Sequence, residues 1–300
     1  MPNTPVVYRG RFAPSPTGPL HKGSLLAALA SYLEAKQNNG QWLVRMEDVD
    51  ELRNVKGAAD DILRSLEAFG FEWDENILYQ TERKDAYSEA LHTLQNQQLV
   101  YPCTCSRKSL RALAESGLIK TGKLGYIYPG NCINNQFAHR NPADYAIRIK
   151  TPDSNFSFDD ELLGHYSQNL KNDLGDFIIR RRDGLFAYQL AVVVDDAFQN
   201  ISHIVRGADL LDSTPRQIYL QHCLNYPLLE YAHLPLILCD RGDKLSKQTG
   251  AQSIGTVANV PLLVECMEFL GQEPPDELER DSLRSFWDWA FENWDISQVS

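Results

Sequence analysis

The sequence predicts an α/β fold built on a doubly wound parallel sheet, with an inserted subdomain and a short C-terminal helical region. Three observations lead there. The first 46 residues read strand, loop, helix, strand, the order of a βαβ unit, whose two strands are parallel. Residues 55–70 and 81–98 carry helical periodicity between strand-like runs. The apolar run at 184–196 reads as a return to the style of a buried parallel strand.

The elements follow in order. Residues 6–12, rich in branched and aromatic side chains, read as the first strand. A Pro/Gly/Ser loop occupies 13–19, and Gly23-Ser24 opens a helix over 25–36 with Ser24 as its expected N-cap. Residues 41–46 read as a second, buried strand. From Tyr101 the character changes: Cys, Gly, Asn and Pro crowd the chain to about residue 145, and short strands follow near 145–150 and 176–182. Further strands are expected at 201–205 and 234–238, and helices over 255–300. The expected division is 1–100, first half of an α/β domain; 101–182, an inserted subdomain; 183–240, the second half; and 241–300, a loop and C-terminal helical region.

Composition excludes several classes. With 43% hydrophobic and 23% charged residues among 300, the chain is globular rather than disordered. It contains no apolar run long enough to span a bilayer. Met1-Pro2-Asn3-Thr4-Pro5 lacks the basic and apolar regions of a secretory signal, so a cytoplasmic location and reduced cysteines are expected. The net charge of −11 is the wrong sign for a nucleic-acid binder. Its distribution is uneven, however. Residues 271–300 hold eight acids and two bases, whereas 101–182 hold twelve bases and eight acids.

Two loops carry chemistry. Arg11-Phe12-Ala13-Pro14-Ser15-Pro16-Thr17-Gly18-Pro19-Leu20-His21-Lys22-Gly23-Ser24 joins the first strand to the first helix. In a doubly wound sheet that is where ligands meet helix N-termini. Gly18 and Gly23 permit close backbone approach, and His21 can donate to a phosphate oxygen. Neither the P-loop nor the dinucleotide G-x-G-x-x-G pattern is present here. Asp243-Lys244-Leu245-Ser246-Lys247-Gln248 places two lysines three apart around a small hydroxyl, suited to a polyphosphate. A third group, Cys103, Cys105 and Cys132, has enough clustered thiols to suggest a zinc site, although Cys-x-Cys is tighter than the usual spacing. Cys223, Cys239 and Cys266 lie in apolar settings and read as core.

Together the two loops resemble the His-Ile-Gly-His and Lys-Met-Ser-Lys-Ser signatures of class I aminoacyl-tRNA synthetases, standing here as His21-Lys22-Gly23-Ser24 and Lys244-Leu245-Ser246-Lys247-Gln248. Gly10 to Gly23, Leu43-Val44-Arg45-Met46-Glu47-Asp48-Val49-Asp50, Asp183-Gly184-Leu185-Phe186-Ala187-Tyr188 and Ile204-Val205-Arg206-Gly207-Ala208-Asp209 look like the glutamyl branch. The resemblance covers about residues 8 to 270 and implies a Rossmann-like catalytic domain. A full glutamyl enzyme of this class carries a further anticodon-binding region after the lysine loop; here only the acidic residues 249–300 follow. That layout is similar to the truncated glutamyl-Q tRNA(Asp) synthetase family. The resemblance implies ATP-dependent, tRNA-independent activation of L-glutamate and its transfer to the queuosine base in the anticodon of tRNA(Asp). The alternatives are a minimal glutamyl-tRNA synthetase charging a tRNA 3′ end, a small-molecule adenylyltransferase, and a catalytically dead paralogue.

Roles follow from the substrate's charges together with the family match. Glutamate has two carboxylates and one ammonium, so Arg11 and Arg206 are expected at the carboxylates and Glu47 at the ammonium, with Ser15 and Tyr188 completing the hydrogen bonds. ATP would be held by His21, Gly23, Ser24 and Lys247, with Lys244 assisting, and would bring Mg²⁺. His21, Lys244 and Lys247 are the expected catalytic residues. For the zinc, the resemblance supplies Tyr128 as fourth ligand beside Cys103, Cys105 and Cys132, with His139 the chemical runner-up; four protein ligands make one structural Zn²⁺ per chain. Arg180-Arg181-Arg182 and the insertion are the expected RNA-facing surface, and a monomer with no membrane partner is expected.

Overall fold

The structure, a computed structural model, describes residues 7–122, 125–137, 141–237 and 252–300. β1 (Arg9–Phe12) and β2 (Gln41–Met46) are parallel, with Arg9 opposite Gln41 and Phe12 opposite Val44. Helix α1 (Lys22–Gln37) joins them, completing the βαβ unit. Its first turn starts earlier than the sequence suggests. The N-cap is His21, not Ser24: His21 is extended, and its Nδ1 accepts the Ser24 N–H at 3.3 Å. Ser24 is already inside the helix, so a residue with a good capping side chain is overridden by where the loop turns. Residues 25, 26 and 28–35 of α1 are all buried, because the helix is covered by β1 and β2 and by two C-terminal helices introduced below.

β2 continues the parallel sheet to β3 (Leu78–Tyr79), with helix α2 (Ala58–Ala68) between them and α3 (Lys84–Asn96) following. On the other side of β1, the Ser202 N–H donates to the Arg9 carbonyl at 3.0 Å, which brings in β11 (His203–Gly207). β11 pairs in parallel with β12 (Glu230–Leu234) after a crossover through α7 (Thr214–Leu224), which carries proline in its first turn. The parallel α/β core expected is therefore present, within a chain whose sheets are mixed.

Two expectations are corrected. Residues 184–196 do not return as a strand: α6 (Tyr188–Phe198) is a helix, with 189–196 all buried. A helix buried around its whole circumference shows the same unbroken apolar run as a parallel strand, and periodicity cannot separate them. The strand expected at 234–238 lies at Glu230–Leu234 instead; Pro235 cannot donate to a ladder and follows its end.

Between α3 and α6, β4 (Val100–Cys103), β7 (Ala146–Ile149) and β10 (Phe177–Arg180) form an antiparallel sheet in the order β10-β7-β4. Helix α4 (Arg107–Glu115), capped by Ser106, and the short pair β5 (Thr121–Gly122) and β6 (Gly125–Tyr126) lie beside it. β8 (Asn155–Asp160) and β9 (Gly164–Asn169) make a hairpin, followed by the single turn α5 (Leu170–Asp173). The end of β8 pairs in parallel with β12, Asp160 opposite Tyr231, so this hairpin extends the parallel sheet.

The acidic C-terminus packs inward with its other face. α8 (Val260–Phe269) and α9 (Leu283–Asn293) cover α1, burying Phe286, Trp287 and Ala290. The Trp287 indole donates to the Phe69 carbonyl at 3.1 Å, and that of Trp294 to Glu34 Oε2 at 2.8 Å. Tyr32, Trp42, Phe71 and Trp287 stack and cross within 5.0–5.6 Å. The charge of this region therefore belongs to the solvated face of amphipathic helices.

Candidate active site

A cavity of about 670 Å³ opens beyond the carboxyl ends of β1, β2, β11 and β12. Arg11, Ser15, His21, Gly23, Ser24, Glu47, Tyr188 and Arg206 all line it. Residues more than 190 positions apart in sequence converge: Arg11, Glu47 and Arg206 stand at or just past the carboxyl ends of parallel strands, Ser15, His21, Gly23 and Ser24 on the loop and first turn after β1, and Tyr188 at the start of α6. Lys244 and Lys247 lie outside the described residues, yet the chain reaches and leaves that segment at the cavity. Ile237 lines it, while the backbone of Ser253 bridges to His21 and Ile254 N–H donates to the Leu20 carbonyl at 3.0 Å.

Because His21 Nδ1 accepts from Ser24, the neutral ring carries its proton on Nε2. The same ring thus closes the helix N-terminus, beside backbone that favours negative charge.

The floor is a buried electrostatic cluster. Arg45, fully buried, donates to Asp196 Oδ1 at 2.8 Å and to Gln199 Oε1 at 2.9 Å. Arg11 Nε faces the same carboxylate at 3.4 Å. Burial opposes the charge on Asp196, but Arg45 and Arg11 outweigh it and hold the carboxyl below its usual range. Burial likewise opposes the charge on Arg45, and Asp196, Glu47 and Asp195 overcome it, keeping the guanidinium charged. Glu47 fares differently. Its backbone N–H donates to the Pro14 carbonyl at 2.9 Å, but its carboxylate meets Arg45 only at 3.5 Å. Burial dominates over Arg45 and Arg11 and pushes Glu47 up to about 7. A buried acid short of cationic partners is a natural seat for an ammonium group.

Arg206 stands across the cavity on β11. Its Nη2 donates to Thr214 Oγ1 and Gln217 Oε1, both at 2.8 Å, and its Nε to His233 Nε2 at 3.1 Å. Its Nη1 is buried with no partner among the described residues. Arg11 and Arg206 therefore bring guanidinium charge to a cavity that also holds Glu47 and the Tyr188 ring, an arrangement complementary to a small zwitterion bearing extra carboxylate.

The sequence reading missed the layer beneath. Asp195 and Asp196 were a visible signal: adjacent acids inside an apolar run must find buried partners. Asp195 is bonded by Tyr87 at 2.6 Å, Gln80 at 3.0 Å and Arg83 at 3.2 Å, tying α3 to α6. Asp209, Leu236 and Ile237 also line the cavity. Arg181 of the tri-arginine run is engaged, pairing with Asp50 at 3.0 Å and Asp183 at 2.6 Å.

At the insertion, the Sγ atoms of Cys103, Cys105 and Cys132 lie within 4.8 Å of one another. The Tyr128 hydroxyl sits among them, 3.3 Å from Cys103 Sγ and 3.5 Å from Cys105 Sγ. Gly175, at φ +69°, lies against Tyr128; a Cβ there would come within 2.5 Å of the Tyr128 backbone. Arg148 Nε donates to Cys103 Sγ at 3.3 Å, as outer residues do around metal-bound thiolates. Three cysteine sulfurs gathered this closely are a donor set that can hold a metal ion. His139 lies outside the described residues. Of the remaining cysteines, Cys266 is buried, Cys223 is half-buried and Cys239 lies outside the described residues.

Among the described residues no helix is long and apolar enough to cross a membrane. Comparison with known proteins agrees with the geometry. Proteins called glutamyl-Q tRNA(Asp) synthetase in Dechloromonas aromatica and in Neisseria meningitidis serogroup C are similar to this chain. The first is 53% identical over 97% of this chain and 95% of its own; the second is 50% identical over 98% and 97%. The crystal structure of the glutamate-tRNA synthetase from Elizabethkingia anophelis superposes with a TM-score of 0.78 at 27% identity, covering 98% of this chain. This chain spans 66% of that protein's length. The family of class I tRNA synthetases (E and Q), catalytic domain, matches residues 7–267, and the chain belongs to that family of ligases.

Proposed function

We propose that this protein activates L-glutamate with ATP, without needing tRNA, and transfers the glutamyl group to the queuosine base in the anticodon of tRNA(Asp). The observation that carries the reading is the convergence of Arg11, Glu47, Tyr188 and Arg206 with His21 in one cavity, in a chain about half identical, over nearly its whole length, to proteins named for that reaction. Arg11 and Arg206 clamp the two carboxylates of glutamate, Glu47 holds its ammonium, and Ser15 and Tyr188 complete the contacts. A glutamate α-carboxylate oxygen attacks the α-phosphorus of ATP, the bond to the β-phosphate breaks, and pyrophosphate leaves. His21 Nε2–H, the α1 N-terminus with Gly23 and Ser24, and Lys244 and Lys247 stabilise the charge that develops on phosphate. On binding, the ammonium favours the ionised form of Glu47, whose proton goes to solvent. Acyl transfer to the base releases AMP. Mg²⁺ arrives with the nucleotide and shields the phosphates.

Cys103, Cys105, Tyr128 and Cys132 hold one structural Zn²⁺, which fixes the start of the insertion. The insertion, 101–182 and basic in net charge, faces the anticodon region of the RNA, between the two halves of a catalytic domain at 1–100 and 183–240; residues 241–300 supply the lysine loop and helical cover. The enzyme works as a monomer in the cytoplasm. Transfer of labelled glutamate to tRNA(Asp) containing queuosine, compared with the same tRNA carrying guanosine there, tests the reading. Label acquired only by the queuosine form and resistant to removal of the 3′ end supports it. Label on the 3′ end of a glutamate tRNA replaces it with a minimal synthetase.

A further inference from the structure

Beneath Arg206 lies a buried chain of hydrogen bonds that reaches into the β8–β9 hairpin. Arg206 Nε is permanently protonated and donates to His233 Nε2. That nitrogen must therefore be the unprotonated one, and the ring proton sits on Nδ1, which bonds Asp160 Oδ2 at 2.5 Å. Thr214 Oγ1 lies 3.2 Å from the same Nε2 and accepts from Arg206 Nη2, so His233 and Thr214 share one edge of the guanidinium. His233 and Asp160 side chains are fully buried. Asp160 Oδ1 accepts the backbone N–H of His233 at 3.1 Å, of Leu162 at 3.2 Å and of Leu163 at 3.0 Å. Burial works against the charge on Asp160, but these bonds prevail and keep it ionised.

We propose that Asp160 and His233 are positioning residues for substrate binding: they fix one tautomer of the imidazole, which holds the Arg206 guanidinium in the rotation that turns Nη1 toward the amino-acid carboxylate. The inference rests on the reading of Arg206 as a carboxylate clamp. Its logic is one of acceptors. A neutral His233 with the proton on Nδ1 presents a lone pair to Arg206. The other tautomer presents N–H to N–H and drives the guanidinium away. Only a charged carboxylate at 160 satisfies four N–H groups. In Asp160→Asn the amide NH₂ faces a donor whichever way it is turned, and the relief is a change of imidazole tautomer or a turn of the ring. The hairpin, far along the sequence from the nucleotide loops, thereby sets affinity for the amino acid.

The test measures glutamate affinity by calorimetry on the full chain, with KM for glutamate, KM for ATP and kcat from pyrophosphate exchange, for the parent, R206A, H233L, H233Q and D160N. H233L and D160N are expected to weaken glutamate binding and raise its KM by roughly tenfold or more, with the KM for ATP within about twofold of the parent. H233Q, whose amide can accept from Arg206 and donate to Asp160, is expected to recover most of the loss. Glutamate affinity unchanged in both H233L and D160N while R206A loses it overturns the relay and leaves the clamp standing. So does parallel loss of both substrates with no rescue by H233Q, the pattern of a merely structural role. Unchanged affinity in R206A, or no glutamate binding by the parent, instead overturns the clamp itself and the relay with it.

Discussion

Replacing Glu47 by Gln should make the protein more stable and less able to hold its substrate, and the gain should depend on pH. Burial raises the Glu47 pKa from 4.5 to about 7. A raised acid pKa means the fold prefers the protonated form. Its stabilising contribution is complete below the unfolded value and is lost as pH rises from 4.5 through 7. At 1.36 kcal/mol per pH unit, the ionised carboxylate destabilises the fold by about 3 kcal/mol at pH 8 and by about 1 kcal/mol at pH 5. Gln has the shape of the protonated acid and does not titrate, and Arg45 retains Asp196 and Gln199 as partners. The Glu47→Gln variant should therefore exceed the parent by about 3 kcal/mol in urea unfolding at pH 8 and by about 1 kcal/mol at pH 5. Saturating glutamate should stabilise the parent and do little for the variant, because bound ligand is what repays ionising Glu47. An advantage that stays constant from pH 5 to 8, or that reverses, would refute this account of Glu47.

Other changes probe the remaining supports. Asp196→Asn strips the charge that Arg11 and Arg45 share and leaves buried cations; urea unfolding at pH 7.5 should show a loss of about 3–5 kcal/mol, and a loss under 1 kcal/mol would mean the cluster tolerates it. Cys132→Ser should lower bound zinc, measured by atomic absorption, from one per chain toward zero while pyrophosphate exchange largely persists; equal zinc in variant and parent would remove Cys132 from the ligand set. Trp294→Phe deletes the indole bond to Glu34 Oε2, and thermal unfolding should show a loss of about 1–3 kcal/mol; no change would show that the C-terminal cover is not held there.

The parts of the fold legible in the sequence were those with local punctuation. The βαβ start was marked by the Pro/Gly/Ser loop between a branched, aromatic run and a helical one, and it stands as β1, α1 and β2. α6 was read as a strand because tertiary burial on every side erased its helical period. The cavity-lining residues were found through chemistry and family resemblance, since charged groups in Gly-rich loops at strand ends have few structural uses. The supporting layer was not found, because nothing local connects Asp160 to His233 or Arg45 to Asp196. Those pairings exist only once β8 lies on β12 and α6 brings Asp196 to Arg45 of β2. The buried acids themselves were the available warning.

The central claim is that this cavity joins glutamate to the α-phosphate of ATP by itself. Exchange of labelled pyrophosphate into ATP, dependent on glutamate and measured without any tRNA, tests it most directly. The account predicts exchange at full rate with glutamate alone and none with glutamate omitted. Exchange that appears only when a glutamate tRNA is added, or with neither, would contradict it.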